Sequence, residues 1–464
     1  MEKKISQTGD TFSPKSRVVG PIRREYYYMS LDASFERWLA EENVSRDASA
    51  IDIVRCCDGF DSRHAQQQQQ QQKVVAKRDI VRGEKLAQIP FSACFACDER
   101  SLLLRGRKNW SEMKRVLEEK TDWLSRLAIA LCFERFRINT MSRGKQLQLE
   151  EEERSRFEPY LNTLNERERH AMCNWETEEK DLLLRGTDIG LNYVRDEREA
   201  AREEYEMFQG ALPPDDEGFA EFFTFERYRA SRSVCSSRAF QITPGKIGLM
   251  PLADLFNHKS TGNDVSVCEG DAAETVAVSV VKSATQKGEE VFNTYGVLSN
   301  TDLLNSYGFC DDTALDLAST APRITGLSVR QRFLMMARTS GRNSLPDAFR
   351  EDEDTHTIEE ITRLLPPGRE DILRSILLHR LKMYPNDKEF ERACETYLLS
   401  RDIVVGGGDT DTQERELLKK ERVELARICR RSEMNCLERA IEKLASKSVL
   451  AQDQEDDAMF SVFA

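Results

Sequence analysis

No stretch of this sequence stays apolar long enough to cross a bilayer, for which a helix needs about 20 consecutive apolar residues. The opening Met1-Glu2-Lys3-Lys4 has no apolar run behind it, and Glu2 and Asp10 argue against an organelle transit segment. A cytoplasmic or nuclear protein with no membrane partner is the expectation. Positive charge is in deficit, with 68 Lys and Arg against 81 Asp and Glu and a net charge of −13. Non-specific nucleic-acid binding needs clustered Lys and Arg, so direct nucleic-acid contact is not expected. Histidine is scarce, at five residues, and no H-E-x-x-H occurs. The twelve cysteines are scattered: Cys94 and Cys97 make one C-x-x-C and Cys56-Cys57 are adjacent, but no second spaced pair completes a zinc site. No metal is expected, and the thiols read as reduced residues packed as small hydrophobes.

What is present is a soluble composition, 39% hydrophobic and 32% charged, in a chain of 464 residues, long enough for two or three domains. Residues 1–30 read as a flexible lead-in, apart from Tyr26-Tyr27-Tyr28. Phe35, Trp38 and Leu39 then share one face of a short helix. The seven glutamines Gln66 to Gln72 read as a low-complexity loop. A strand from Val74 to Ile80 follows, then a turn at Arg82-Gly83-Glu84 and a second strand, Lys85 to Pro90, closed by its proline. Trp123 to Phe136 is apolar on more than one face and predicts a buried helix.

Residues 140–235 are charged and helical in pattern, with a solvated acidic run at Glu150 to Glu153, an aromatic-rich turn at Phe157-Glu158-Pro159-Tyr160-Leu161, and a loop at Pro213 to Gly218. Past residue 262 the period switches to two. Val265 and Val267 alternate with polar residues, Glu269-Gly270-Asp271 turns the chain, and Val276, Val278 and Val280 return. After about residue 325 the pattern is helical. Gly406-Gly407-Gly408 is a flexible break; Leu418, Leu425, Ile428, Leu437, Ile441 and Leu444 form an amphipathic stripe, and Gln452 to Asp457 an acidic, fraying tail.

The chain is organised around Gly248 to Phe309. An apolar run from Leu249 to Phe256 ends in Asn257-His258, and further on stand Phe292-Asn293-Thr294-Tyr295-Gly296 and Tyr307-Gly308-Phe309. An acid, an amide, an imidazole and two phenols beside apolar or glycine neighbours suggest a cleft.

The block Ser237-Arg238-Ala239-Phe240, then Pro251-Leu252-Ala253-Asp254-Leu255-Phe256-Asn257-His258, then Phe292 to Gly296 and Asn305 to Phe309, resembles the SET-domain lysine methyltransferases. Within these it is similar to the branch of the Rubisco large-subunit and ribosomal-protein methyltransferases. Val75 to Ile80 with Gly83-Glu84 and Ile89-Pro90, and Phe157 to Leu161 with Trp175 and Gly186-Thr187, extend the likeness.

The resemblance implies an α+β fold. Residues 31–325 would form a SET domain of short β-sheets, split by a helical insert at about 120–235 and carrying the polyglutamine loop 66–72. An all-α substrate-binding domain would occupy 326–450, and an acidic tail 451–464. It also implies S-adenosyl-L-methionine as methyl donor and a protein lysine as acceptor. The absence of a cysteine-rich segment after Phe309 favours a non-histone target, a ribosomal protein being the nearest guess.

Tyr295 matches the tyrosine that the family places at the point of transfer, and Tyr307 one that lines the lysine channel. Asn257 and His258 match the cofactor-binding pair, Arg238 an arginine beside the cofactor carboxylate and the substrate, and Asp254 a position near the substrate lysine. Phe309 either stacks on adenine or belongs to the core. Where the family has a G-x-G loop around the cofactor, this chain has Gln71, Gln72 and Lys73, unless the correspondence slips to Asp58-Gly59-Phe60 with the glutamines inserted. The rival readings are a SET-fold protein-binding module without turnover and methylation of another acceptor such as histidine.

Overall fold

The computed structural model describes residues 32–56, 71–96, 111–142, 155–212, 217–312, 322–325, 355–365, 369–400 and 412–461. The glutamines 66–70, Asp58-Gly59-Phe60, Tyr26 to Tyr28, Glu150 to Glu153, Pro213 to Asp216, Gly406 to Gly408, Cys57 and Cys97 lie outside them.

Helix α1 (Ala33–Glu41) starts at Asp32, whose carboxylate accepts from the N–H of Ser34, and it buries Phe35, Trp38 and Leu39. The strands that follow are short. β1 (Ser45–Arg46), β5 (Lys85–Pro90), β9 (Val265–Glu269) and β10 (Thr275–Val280) form one antiparallel sheet in the order β1-β5-β10-β9. The β9–β10 hairpin carries the expected valine alternation, with Val267 opposite Val278. β2 (Ile51–Cys56) pairs with β3 (Gln71–Ala76), and β4 (Ile80–Val81) with β11 (Ala284–Thr285). β6 (Phe95–Ala96), β7 (Ala239–Thr243) and β8 (Lys246–Leu249) make a three-stranded sheet in the order β6-β8-β7.

Two expectations are corrected. Gln71 and Gln72 are not loop but strand, because β2 supplies ladder partners: Cys56 faces Gln71, Arg55 faces Gln72 and Val54 faces Lys73. Cross-strand pairing overrides the weak β preference of glutamine. At its other end the strand stops at Ala76, and Ile80 belongs to a separate two-residue strand.

Between β6 and β7 the described elements are helices. α2 (Ser111–Glu119), α3 (Trp123–Ser142), α4 (Glu158–Leu161), α5 (Thr177–Leu183), α6 (Glu197–Ala211), α7 (Glu217–Phe222) and α8 (Phe225–Arg238) follow in order. The aromatic-rich turn at Glu158 is thus one short helix. The middle of α3 is enclosed all round, with every residue from Leu127 to Phe133 buried, whereas Trp123 at its start is exposed. α8 is capped by Thr224, packs against α3 and runs straight into β7, which fixes Arg238 at the junction of helix and sheet.

Helices Ile358–Leu364, Glu370–Leu381, Asp387–Leu399 and Thr412–Ser461 make the C-terminal part. The last helix includes the acidic segment expected to fray. The predicted stripe faces the cores, with Leu418 and Leu437 buried and Leu425, Ile441 and Leu444 packed against them, but Arg422 and Glu433 lie inside as well. The main core fills the space between α1, the sheets and α3. A second core joins Trp175, Leu184 and Leu304 to Tyr397, Leu418 and Ala426.

Candidate active site

Strand β8 leads into Met250-Pro251-Leu252 and a 3₁₀ turn at Ala253–Leu255, all buried. Leu252 enters that turn at φ +73°, a conformation unfavourable for a side-chain-bearing residue, held by its burial in the main core. The turn delivers Asp254 into the interior, then Asn257 and His258 to a half-buried rim.

Beside this rim runs the Phe292–Tyr295 segment, parallel to it. Asn293 N–H donates to the Asn257 carbonyl at 2.8 Å, and Lys259 N–H to the Asn293 carbonyl at 2.9 Å. In such a bridge the polar groups of the residue between, His258, point to the other side. His258 Nδ1 accepts from the Tyr295 N–H at 3.0 Å, and the Tyr295 hydroxyl donates to the Phe256 carbonyl at 3.3 Å.

Helix α9 (Asn300–Tyr307) brings the remaining rings. A Ser299–Asp302 capping box begins it, and Gly308, at φ +78°, ends it in a left-handed cap. The Tyr307 ring stacks on Tyr295 with centroids 4.9 Å apart. Phe309 stands 5.9 Å from His258 and 6.3 Å from Tyr295. Burial pushes the Tyr295 phenol well above its ordinary pKa, with the Arg238 charge opposing, and it holds His258 below the usual histidine value. Both side chains are therefore neutral at physiological pH.

Asp254 is buried nearby, and its charge bears on the Tyr295 phenol. The Tyr160 hydroxyl donates to its Oδ2 at 2.8 Å, and Arg238 reaches its main-chain carbonyl at 3.1 Å. Oδ1 is buried with no hydrogen-bond partner. Desolvation raises this carboxyl to about 6 despite Arg238 and Tyr160, which both pull it down. Arg238 is itself steered by Glu168, at 3.0 Å. On the far side, Asn257 Nδ2 donates to Glu290 Oε1 at 2.7 Å and to the Gln72 carbonyl at 3.3 Å, and Lys73 pairs with Glu290 at 3.0 Å.

The fold thus gathers every residue singled out in the sequence: Asp254, Asn257, His258, Tyr295, Tyr307 and Phe309 around one centre, Arg238 below it and Lys73 at its edge. It adds three that sequence reasoning missed as site residues. Tyr160 sits within the aromatic phrase of the insert, which was a signal of a kind. Glu290 precedes the Phe292–Gly296 motif. Glu168 lies in a run of charges, and nothing marks it out there. Among the described residues no group of three or more His, Cys, Asp or Glu is placed to hold a metal, and no helix is long and apolar enough to cross a membrane.

No family model matches the chain. N-lysine methyltransferase setd6 of Danio rerio is 28% identical to it over 295 residues, covering 59% of this chain and 57% of that protein. Human N-lysine methyltransferase SETD6 is 26% identical over 291 residues, covering 59% and 54%. The chain therefore spans about half the length of the curated relatives it matches.

The structure of Rubisco LSMT bound to AdoMet superimposes with a TM-score of 0.52 at 21% identity, covering 90% of this chain and 92% of that one. The SET domain of LSMT bound to lysine and AdoHcy gives 0.52 at 19%, covering 90% and 91%. The chain therefore shares its fold with the SET-domain structures of Rubisco LSMT.

Proposed function

We propose that this protein is a protein-lysine N-methyltransferase that uses S-adenosyl-L-methionine. The observation that carries the reading is the orphaned acceptor, Asp254 Oδ1, buried with no hydrogen-bond partner in the protein and near enough to Tyr295 for its charge to bear on that phenol. A buried carboxylate oxygen left unsatisfied costs free energy, and the ammonium of an incoming lysine is the partner it fits. The main-chain N–H and C=O of His258, turned away from Asn293, suit the donor-acceptor edge of an adenine. Phe309 offers a ring beside them, and Arg238 a guanidinium for a carboxylate.

When bound, S-adenosylmethionine supplies a methyl group on a positively charged sulfur. The chain's own residues have to deliver an uncharged amine to it. Free lysine, with a pKa of about 10.4, arrives protonated. Asp254 draws that ammonium inward, and the dry walls of Tyr295 and Tyr307 then favour loss of its proton to bulk water, which leaves the neutral amine. The Tyr295 hydroxyl, itself un-ionised, orients the amine by hydrogen bonding, and alignment of this sort is worth roughly 7–11 kcal/mol in intramolecular analogues. A lysine-rich target, ribosomal proteins among them, suits the net charge of −13.

Calorimetry with S-adenosylmethionine and mass spectrometry of methylated protein test the proposal together. Wild type and Tyr295→Phe should both bind the donor, and the variant should lose methyl transfer by about a hundredfold. No heat of binding to the wild type ends the reading. Binding without transfer to any protein favours the SET-fold binding module instead, and product on histidine changes the acceptor.

A further inference from the structure

We propose that Ser260 and Asp311 are positioning residues for methyl transfer, acting on Tyr295 through the tautomer and orientation of His258. The proposal rests on the methyltransferase reading above. Neither residue reaches the cluster of rings; each acts through a hydrogen bond to something that does.

The chain of contacts is continuous. The Tyr295 N–H donates to His258 Nδ1 at 3.0 Å, so that nitrogen must be unprotonated. The proton of the neutral ring is thereby assigned to Nε2. Nε2 lies 3.1 Å from Ser260 Oγ, which then accepts it. Ser260 is in turn fixed by its own N–H, which donates to Asp311 Oδ2 at 3.3 Å.

Asp311 is tied down on both sides by one residue. Its N–H donates to Asn300 Oδ1 at 2.7 Å, and Asn300 Nδ2 donates to its carbonyl at 3.1 Å. Asn300 is buried in the first turn of α9. A rigid helix therefore reaches the Tyr295 peptide through four side chains, Asn300, Asp311, Ser260 and His258.

The peptide it reaches needs holding. Tyr295 is followed by Gly296 at φ +118° and by Val297, which is 84% exposed. Such a backbone can swing unless something fixes it. Asp311 also lies two residues beyond Phe309, so the same link keeps that ring over His258.

A charge consequence follows. An imidazolium carries N–H on both nitrogens, so protonated His258 would present a donor to the Tyr295 N–H, itself a donor. The contact would break. Two segments supply the titratable groups around the ring, the un-ionised phenol of Tyr295 from one and the Asp311 carboxylate from the other. Burial opposes protonation and Asp311 favours it. At saturating substrate, kcat should fall on the acid side as His258 takes up its proton.

The test uses the full chain. Ser260→Ala, which strands the Nε2 proton, should lower kcat about tenfold, with donor affinity and the KM for protein unchanged. Ser260→Thr, which keeps the hydroxyl, should restore it. Asp311→Asn keeps an acceptor oxygen but removes the charge, and should move the acid limb of kcat to lower pH. ¹⁵N resonances of His258 should show the Nε2-protonated tautomer, and hydrogen exchange of the Tyr295 amide should quicken in Ser260→Ala. An Nδ1-protonated ring overturns the proposal, as does a Ser260→Ala protein with wild-type exchange at Tyr295. Failure of the methyltransferase reading is separate: it shows as an inactive wild type whose tautomer and amide exchange can still be read.

Discussion

At Asp254 the fold keeps a carboxylate that it would be more stable without. Desolvation lifts its pKa from 3.8 to about 6, a difference worth ~3 kcal/mol. The sign follows from proton binding: the folded chain holds this proton more tightly than the unfolded one. The penalty is therefore fully present above about pH 6, shrinks as pH falls, and is gone below 3.8. Asp254→Asn should stabilise the protein at pH 8 by up to ~3 kcal/mol in urea unfolding, with no advantage at pH 3.5. If the proposed role of Asp254 holds, the same substitution should raise the KM for protein by about tenfold, because the charge proposed to draw the lysine is lost. In the wild type that KM should rise as pH falls through about 6. A variant no more stable than wild type at pH 8 would remove the idea that function keeps this acid in place.

Helix α9 shows why a short element can control a site. Its last residue, Tyr307, and the residue after its cap, Phe309, face Tyr295 and His258, and Gly308 sets the angle between them. A Cβ on Gly308 would lie 2.5 Å from the Ala171 nitrogen and 2.7 Å from the His170 carbonyl carbon, at a φ that disfavours side chains. Gly308→Ala should cost about 2–3 kcal/mol and weaken donor binding through Phe309. A urea midpoint equal to the wild type's would sink that account. Elements of this kind were legible in the sequence. Asn257-His258, Tyr295 and Tyr307-Gly308-Phe309 each sit in a local phrase, and the valine alternation marks the β9–β10 hairpin. Tyr160, Glu168 and Glu290 were not, because their roles come from contacts across 94, 70 and 33 residues of chain. The extension of β3 into Gln71 was hidden for the same reason, its cause being a partner strand.

Across the whole molecule, the helical insert, α9 and the C-terminal helices meet at the second apolar core and at a set of buried charges beside it. Arg380, 2% exposed, donates to Asp188 at 3.0 Å and to the Gly186 carbonyl at 2.6 Å, with Glu433 at 3.5 Å. Glu433 also takes the hydroxyls of Thr301, from α9, and Tyr384. Nothing in the sequence around Glu433 marks it as buried, and only its distant partners show that it is. Two carboxylates here share one guanidinium, and burial with Asp188 beside it pushes the Glu433 carboxyl above the ordinary range. Raised acid values mean that the folded chain binds more protons, so stability falls as pH rises. Arg380→Met removes the shared cation, leaving Glu433 to its hydroxyl partners and Asp188 to Arg323, a loss of about 3–5 kcal/mol for such a group. Urea unfolding should show the larger loss at pH 8, where both carboxylates are ionised, and a smaller one at pH 5.5, where a proton can replace the guanidinium. An equal loss at both values would mean that Arg380 acts by packing over Tyr384, 4.6 Å away, and not by charge.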